Sequence, residues 1–215
     1  METTIIVING KGGVGKDWCI NQLISKMGEE LIENISSIDP IKKIASEYGY
    51  DDSKKTNKSR KFLSDLKAAF TEWNELPMVH TIRSVRDAIN AERNKKVVFV
   101  HIREPEEIKK FIDSCKIALM VDNIKCNNDF RIVTLLIIDP EDINTTTPKG
   151  IFGNGSDDNV EKFKYDYKFI NDKINGKEDD FYDFVLKNII DAKEKSVIET
   201  TGAITVKSPH FVKEK

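Results

Sequence analysis

Seven residues near the amino terminus carry the clearest chemistry. In Gly10-Lys11-Gly12-Gly13-Val14-Gly15-Lys16 the outer glycines stand five apart and a lysine follows, between an apolar run and a helical pattern. Glycines admit backbone conformations that turn successive N–H groups inward, and such a nest binds anions. A helix that starts directly behind it adds its partial positive charge. Lys16 adds a full charge, able to bridge two phosphates and to neutralise charge that moves between them. The residue types therefore point to phosphate binding, with phosphoryl transfer as the reaction they suit. A bare glycine-rich turn would need neither the lysine nor this spacing. The seven residues fill the start of the pattern G-x-x-x-x-G-K-[ST]; Asp17 stands at the eighth position, where a hydroxyl would meet magnesium. A carboxylate there is a hard-cation ligand and equally a helix cap.

Such a loop works only if a strand and a helix hold it. Thr3–Asn9 reads as a buried strand, and residues 17–32 carry Ile20, Leu23, Ile24, Met27 and Leu31 at helical spacing. Beyond them the pattern predicts a strand over Ile35–Asp39, a helix opening at Pro40, a polar loop over 51–59, and helices over Lys61–Trp73 and Val79–Asn94. Next come a strand over Lys96–Ile102, a helix over Glu104–Ser114 and strand-like runs at Ile117–Val121 and Ile132–Ile138. A glycine- and proline-bearing loop over 139–158 comes after these, then a short helix over Asp157–Phe163, a strand over Lys168–Asn171 and a helix over Asp179–Ile190. Alternating strands and helices predict an α/β fold with a mostly parallel, five-stranded sheet and helices on both faces. Residues 1–191 read as one domain, with a small lid within 122–158. Residues 192–215 read as an extension, a hairpin turning at Thr201-Gly202 or a tail.

Composition narrows the class. The 215 residues are 39% hydrophobic and 33% charged, with a net charge of −2. That balance excludes a fibre and a disordered acidic chain and offers no basic field for nucleic acid. Three widely spaced cysteines form neither a disulfide framework nor a metal cluster. The start of the chain has no basic region of a signal peptide, and no apolar run reaches bilayer length, so a cytoplasmic protein without a membrane partner is expected, monomeric or homodimeric.

The 28 lysines and six arginines make each arginine a candidate, because a guanidinium grips phosphate with two parallel bonds. Arg103 leaves a buried strand, and Arg60 opens a helix. Lys42 comes after the second strand, and all three sit where ligands of parallel sheets bind. The plainer alternatives are a solvated helix start for Arg60, ion pairs of the arginines with Asp65 and Glu104, and a pair of Lys42 with Glu47. Asp39 either orients the acceptor or caps the helix at Pro40. Phe70 and Trp73 are core residues by spacing, with base stacking as the alternative.

Two families share this loop. Gly-Lys-Gly-Gly-Val-Gly-Lys resembles the deviant P-loop of the partition and septum-site ATPases, whose lysine matching Lys11 reaches a partner subunit's phosphates; Ile38-Asp39-Pro40 resembles their aspartate-proline element. Asp17 and His101-Ile102-Arg103-Glu104-Pro105 depart from that pattern. The second resemblance covers roughly residues 3–190. A P-loop ending Gly-Lys-Asp is similar to that of the phage-type deoxynucleoside monophosphate kinases and the related animal-type phosphomevalonate kinases. Asp39-Pro40-Ile41-Lys42, the arginine-headed helix Arg60–Leu66, His101-Ile102-Arg103, Ser156-Asp157, Tyr165-Asp166-Tyr167 and Asn171 come in that family's order. His101 replaces an aspartate. The lid region offers only Arg131, with Lys125 and Lys149.

The second resemblance implies a P-loop NTPase three-layer sandwich and transfer of the ATP γ-phosphoryl, with Mg2+, to a nucleoside or deoxynucleoside monophosphate. It implies Gly10, Lys11, Gly12, Gly13, Val14, Gly15, Lys16, Asp17 and Trp18 as the ATP site and Asp17 as the metal ligand. Lys16, Arg60 and Arg103 are then catalytic, and Asp39, Lys42, Arg60 and Arg103 bind the acceptor. The rival readings are a kinase of another small phosphate ester, a switch ATPase that dimerises on ATP, and a P-loop that binds nucleotide without turnover.

Overall fold

The computed structural model describes residues 2–54, 56–90, 95–126, 129–141, 159–172, 179–191 and 204–205. The apolar run Thr3–Asn9 forms β1, all seven residues buried, at the centre of a parallel sheet. β2 (Ile32–Ser36), β3 (Val97–His101), β4 (Phe130–Ile138) and β5 (Tyr167–Ile170) join it in the order β2-β3-β1-β4-β5, with the two-residue β6 (Ile204–Thr205) beside β5. Ile5 of β1 lies between Val98 of β3 and Ile132 of β4, and every strand pair is parallel.

Strand alternation divides β1 between two cores. Ile6 and Ile8 pack with Cys19, Ile20 and Leu23 of α1 (Lys16–Met27). The same core holds Phe181, Phe184, Val185 and Ile189 of α6 (Asp180–Phe184) and the π-helical turn that continues it. Ile5 and Val7 face the other way, against Val85 and Ile89 of α4 (Leu76–Asn90) and Ile108, Phe111 and Cys115 of α5 (Pro105–Cys126). Helices therefore cover both faces. A third, smaller core joins Ile41 and Ala45 of α2 (Asp39–Glu47) to Leu63 of α3 (Asn57–Asn74). Phe70 packs against this core, whereas Trp73 is 77% exposed, so the core reading holds for the first aromatic and not the second.

Several expected boundaries shift. The second strand begins at Ile32 rather than Ile35, and Asp39 is already helical. The run Ile117–Val121 is not a strand: it lies inside α5, whose Phe111, Cys115 and Leu119 face the sheet while Ile117, Met120 and Val121 are more than half exposed. Apolar residues on both sides of one helix mimic the unbroken apolar run of a buried strand. Asp122–Arg131 cannot serve as a lid over the loop. Its described residues, 122–126 and 129–131, are the end of α5 and the entry into β4, at the amino edge of the sheet, and Arg131 donates there from Nε to Thr4 Oγ1 at 3.1 Å. The remaining lid segment, with Lys149 and Ser156-Asp157, lies outside the described residues apart from 139–141, as does the 197–203 part of the expected hairpin. Among the described residues no helix is long and apolar enough to cross a membrane.

Candidate functional site

Between β1 and α1 the chain makes the loop that the glycines predict. Gly10, Gly13 and Gly15 all take positive φ, at 150°, 85° and 89°. Gly10 is also closely packed: a Cβ there would stand 2.6 Å from the Ile137 carbonyl oxygen and 2.9 Å from Val14 Cγ2. Gly10→Ala should therefore lower stability by about 1–3 kcal/mol through strain at this turn. A thermal unfolding midpoint equal to wild type would contradict that packing.

Gly15 caps α1 without a side-chain bond, and the first helical bond runs from Cys19 N–H to Gly15 O at 3.0 Å. The N–H groups of Asp17 and Trp18 in the opening turn thus have no intrahelical acceptor, the arrangement that attracts anions. The Lys16 ammonium arches back over the loop and donates to the carbonyls of Gly10 and Lys11, the latter at 3.0 Å. Its charge is held at the mouth of the nest. Asp17 is exposed at the same helix end.

Lys11 is turned elsewhere. Its ammonium pairs with Glu161 at 2.9 Å, and its side chain is 12% exposed. Glu161 belongs to the short 3-10 turn Val160–Lys162 before β5, so this lysine is engaged within its own chain.

The exit of β3 supplies the opposite wall. β1 leads into α1 on one face and β3 into α5 on the other, so their carboxyl ends open a crevice at a switch point of the sheet. His101 ends β3 on the α1 side, its ring nitrogen Nε2 2.8 Å from Asn34 Oδ1. Burial, joined by the charges of Lys16, Arg103 and Lys42 and opposed by Asp17, pushes its pKa down to about 4. The ring is neutral at pH 7, and an acceptor oxygen at Nε2 places its proton there. Lys16, Asp17, Arg103 and Lys42 thus each act electrostatically on this ring, and Arg103 is exposed at the crevice rim.

The low pKa of His101 has a consequence for stability. Between pH 6.5 and 4 the unfolded chain binds a proton that the folded ring refuses. Its contribution is complete above pH 6.5 and is lost as pH falls towards 4, by at most about 3 kcal/mol. His101→Gln should flatten the acid limb of stability, read as urea midpoints at pH 7 and 4.5; parallel limbs would contradict the assignment.

Lys42 also belongs to a neighbouring cluster, with Arg60. Lys42 pairs with Asp52 at 3.0 Å, not with Glu47. Tyr50 donates to the second oxygen of Asp52 at 2.9 Å. Arg60 lies close enough to act on Tyr50, whose pKa is raised by burial and by Asp52. Asp65 takes Lys61 as its partner. Asp39 accepts from the Ser36 N–H at 2.8 Å, so one of its oxygens closes the turn into α2.

Three residues that hold the loop escaped the sequence reading as a group. Asn9, fully buried at the end of β1, donates from Nδ2 to Arg103 O and to Tyr165 Oη, both at 2.8 Å, and accepts from Gly10 N–H at 2.8 Å. Tyr165, 1% exposed, donates in turn to Val160 O at 2.9 Å; burial pushes its pKa up to about 12, so it stays a phenol. Asn171, just beyond β5, donates to Val14 O at 2.7 Å. The available signal was a lone amide closing an apolar strand, since a buried polar group requires partners. Among the described residues no group of three or more metal-ligating side chains forms. Compared with protein-family models and with curated proteins, the chain matches none.

Proposed function

We propose that the chain is an ATP-dependent kinase that transfers the γ-phosphoryl group to the phosphate of a nucleoside or deoxynucleoside monophosphate. One observation carries the reading: at the β1–β3 crevice the charges of the glycine-nest lysine, of the arginine leaving β3 and of Lys42 all act on one residue, His101. Transfer between two anions needs cations on both sides of the moving group, and catalysis is then chiefly positioning and charge stabilisation. Lys16 serves the donor; Arg103 and Lys42 serve the acceptor, with Arg60 behind them beside Tyr50.

The strand order, and the loop between β1 and α1, support the finer reading of the fold as a P-loop NTPase sandwich, with residues 1–191 as the kinase domain. The donor chemistry suits magnesium. One carboxylate, substrate phosphates and water are its usual ligands, and Asp17 would supply the carboxylate. When bound, the ion neutralises phosphate charge.

The pairing of Lys11 with Glu161 favours the kinase over a switch ATPase, in which that lysine would point to a partner subunit. Lys11→Ala should change transfer by less than about tenfold. Complete loss of activity, together with ATP-dependent dimerisation of the wild type, would instead establish the switch. The direct test is a panel of nucleoside monophosphates with Mg-ATP, scored for diphosphate product. Release of ADP without a phosphorylated acceptor would refute the kinase.

A further inference from the structure

We infer that Asn9 and Tyr165 are positioning residues that set the separation between the phosphate loop and the Arg103 arm, and so between donor and acceptor phosphates. The inference rests on the kinase reading and adds the device that couples its two halves.

Asn9 stands where the chain leaves the sheet for the loop, on the face of β1 shared with Ile5 and Val7. An amide in that apolar setting is tolerated only when its hydrogen bonds are made. Both Nδ2 hydrogens are used, and Oδ1 accepts one bond. Two of the three partners are main-chain atoms of the elements that carry the reacting groups: the N–H of Gly10 opens the donor loop, and the carbonyl of Arg103 belongs to the acceptor residue itself. A single planar amide therefore spans the crevice at its base.

Tyr165 fixes the plane of that amide. Its hydroxyl accepts from Asn9 and donates to Val160 O, and its ring meets Phe163 edge-on at 5.0 Å. Asp166, the next residue, is locked to β4: its Oδ2 accepts from the Thr134 N–H and hydroxyl, both at 2.8 Å. The phenol thus sits beside an anchor to β4 that does not involve the loop. Every hydrogen of the node is used, so the amide has one orientation. Two charged ligands that must meet within a few tenths of an ångström need such a fixed base, because small misplacements weaken transfer steeply.

Tyr165→Phe tests this. The variant keeps the ring and removes the hydroxyl that orients Asn9. Expected is a kcat lower by about tenfold or more, with the Kd for Mg-ATP within about twofold of wild type. In amide NMR spectra, Mg-ATP should shift Arg103 and Glu104 in the wild type, and those shifts should fall by about half in the variant, because the link across the crevice is loosened. Asn9→Asp supplies a second variant should the first misfold. It keeps the acceptor for Gly10 and loses the donor to Arg103, and the same changes are expected. A lower melting temperature with kcat, KM and the Arg103 shifts all unchanged would overturn the inference and leave the node purely structural. If the wild type phosphorylates no monophosphate, the kinase reading fails and the NMR comparison decides alone: halved shifts sustain the coupling, and undiminished shifts overturn it. A wild type that does not bind Mg-ATP overturns both.

Discussion

Lys16→Ala is expected to lower phosphoryl transfer by about 10^2–10^3-fold, close to 3–4 kcal/mol of barrier, while the fold survives. The ammonium is held at the loop mouth by the carbonyls of Gly10 and Lys11, where charge would move from donor to acceptor. A donor aimed at that place stabilises the transition state more than the ground state, and its loss falls mainly on kcat. Stability should change little, since each of its bonds to a carbonyl contributes on the order of 1 kcal/mol and alanine suits a helix. Single-turnover transfer and thermal unfolding on the same sample check both halves. Near-normal turnover would remove the loop from the chemistry; a collapsed melting curve would make the lysine structural.

Arg103→Lys is expected to reduce kcat/KM for the acceptor by about 10–100-fold, the scale of about 1.5–3 kcal/mol for hydrogen bonds to a charged group. The Michaelis constant for ATP should stay within about twofold. Lysine keeps the charge and loses the planar fork that fixes both the place and the direction of a phosphate. The main-chain carbonyl of Arg103 is already held by Asn9, so the substitution leaves the arm in place and changes only its tip. Reduced thermal stability with unchanged constants at low temperature would assign the guanidinium to an ion pair. An effect confined to ATP would place it on the donor side.

What the sequence disclosed and what it hid divide along physical lines. β1, its loop and α1 are legible because local signals coincide: an unbroken isoleucine-valine run, glycines where φ must be positive, then helical spacing. The parallel sheet is legible from alternation alone. α5 was split because Ile117, Met120 and Val121 face outward, and the sequence marks their apolarity but not their direction. The family resemblance put Arg131 in the lid region; the register with Thr4 places it at the opposite edge of the sheet. His101 was visible as a departure, but not its neutrality, which depends on burial and on the charges of Arg103 beside it and of Lys16 and Lys42 from two other segments. The Asn9 network was illegible because its bonds join residues 94 and 156 positions apart, beyond any local pattern.

The central place of β1 also governs how the chain is made. It leaves the ribosome before the other strands of its sheet and depends on segments synthesised later, taking β3 and β4 as its two neighbours. At roughly 5–20 residues per second it waits about 4–18 s for its first neighbour and about 6–25 s for its second. Throughout, an uncharged, β-prone segment stands without a partner, the kind of sequence that pairs with copies of itself. Glu2 and Lys11 bracket it with opposite charges, as gatekeepers do. A sheet closed only by distant segments is slow to nucleate, because loop closure precedes any reward. Refolding from denaturant should therefore lose yield steeply with protein concentration, and charge placed at either end of β1 should protect the nascent chain more than it alters the finished one.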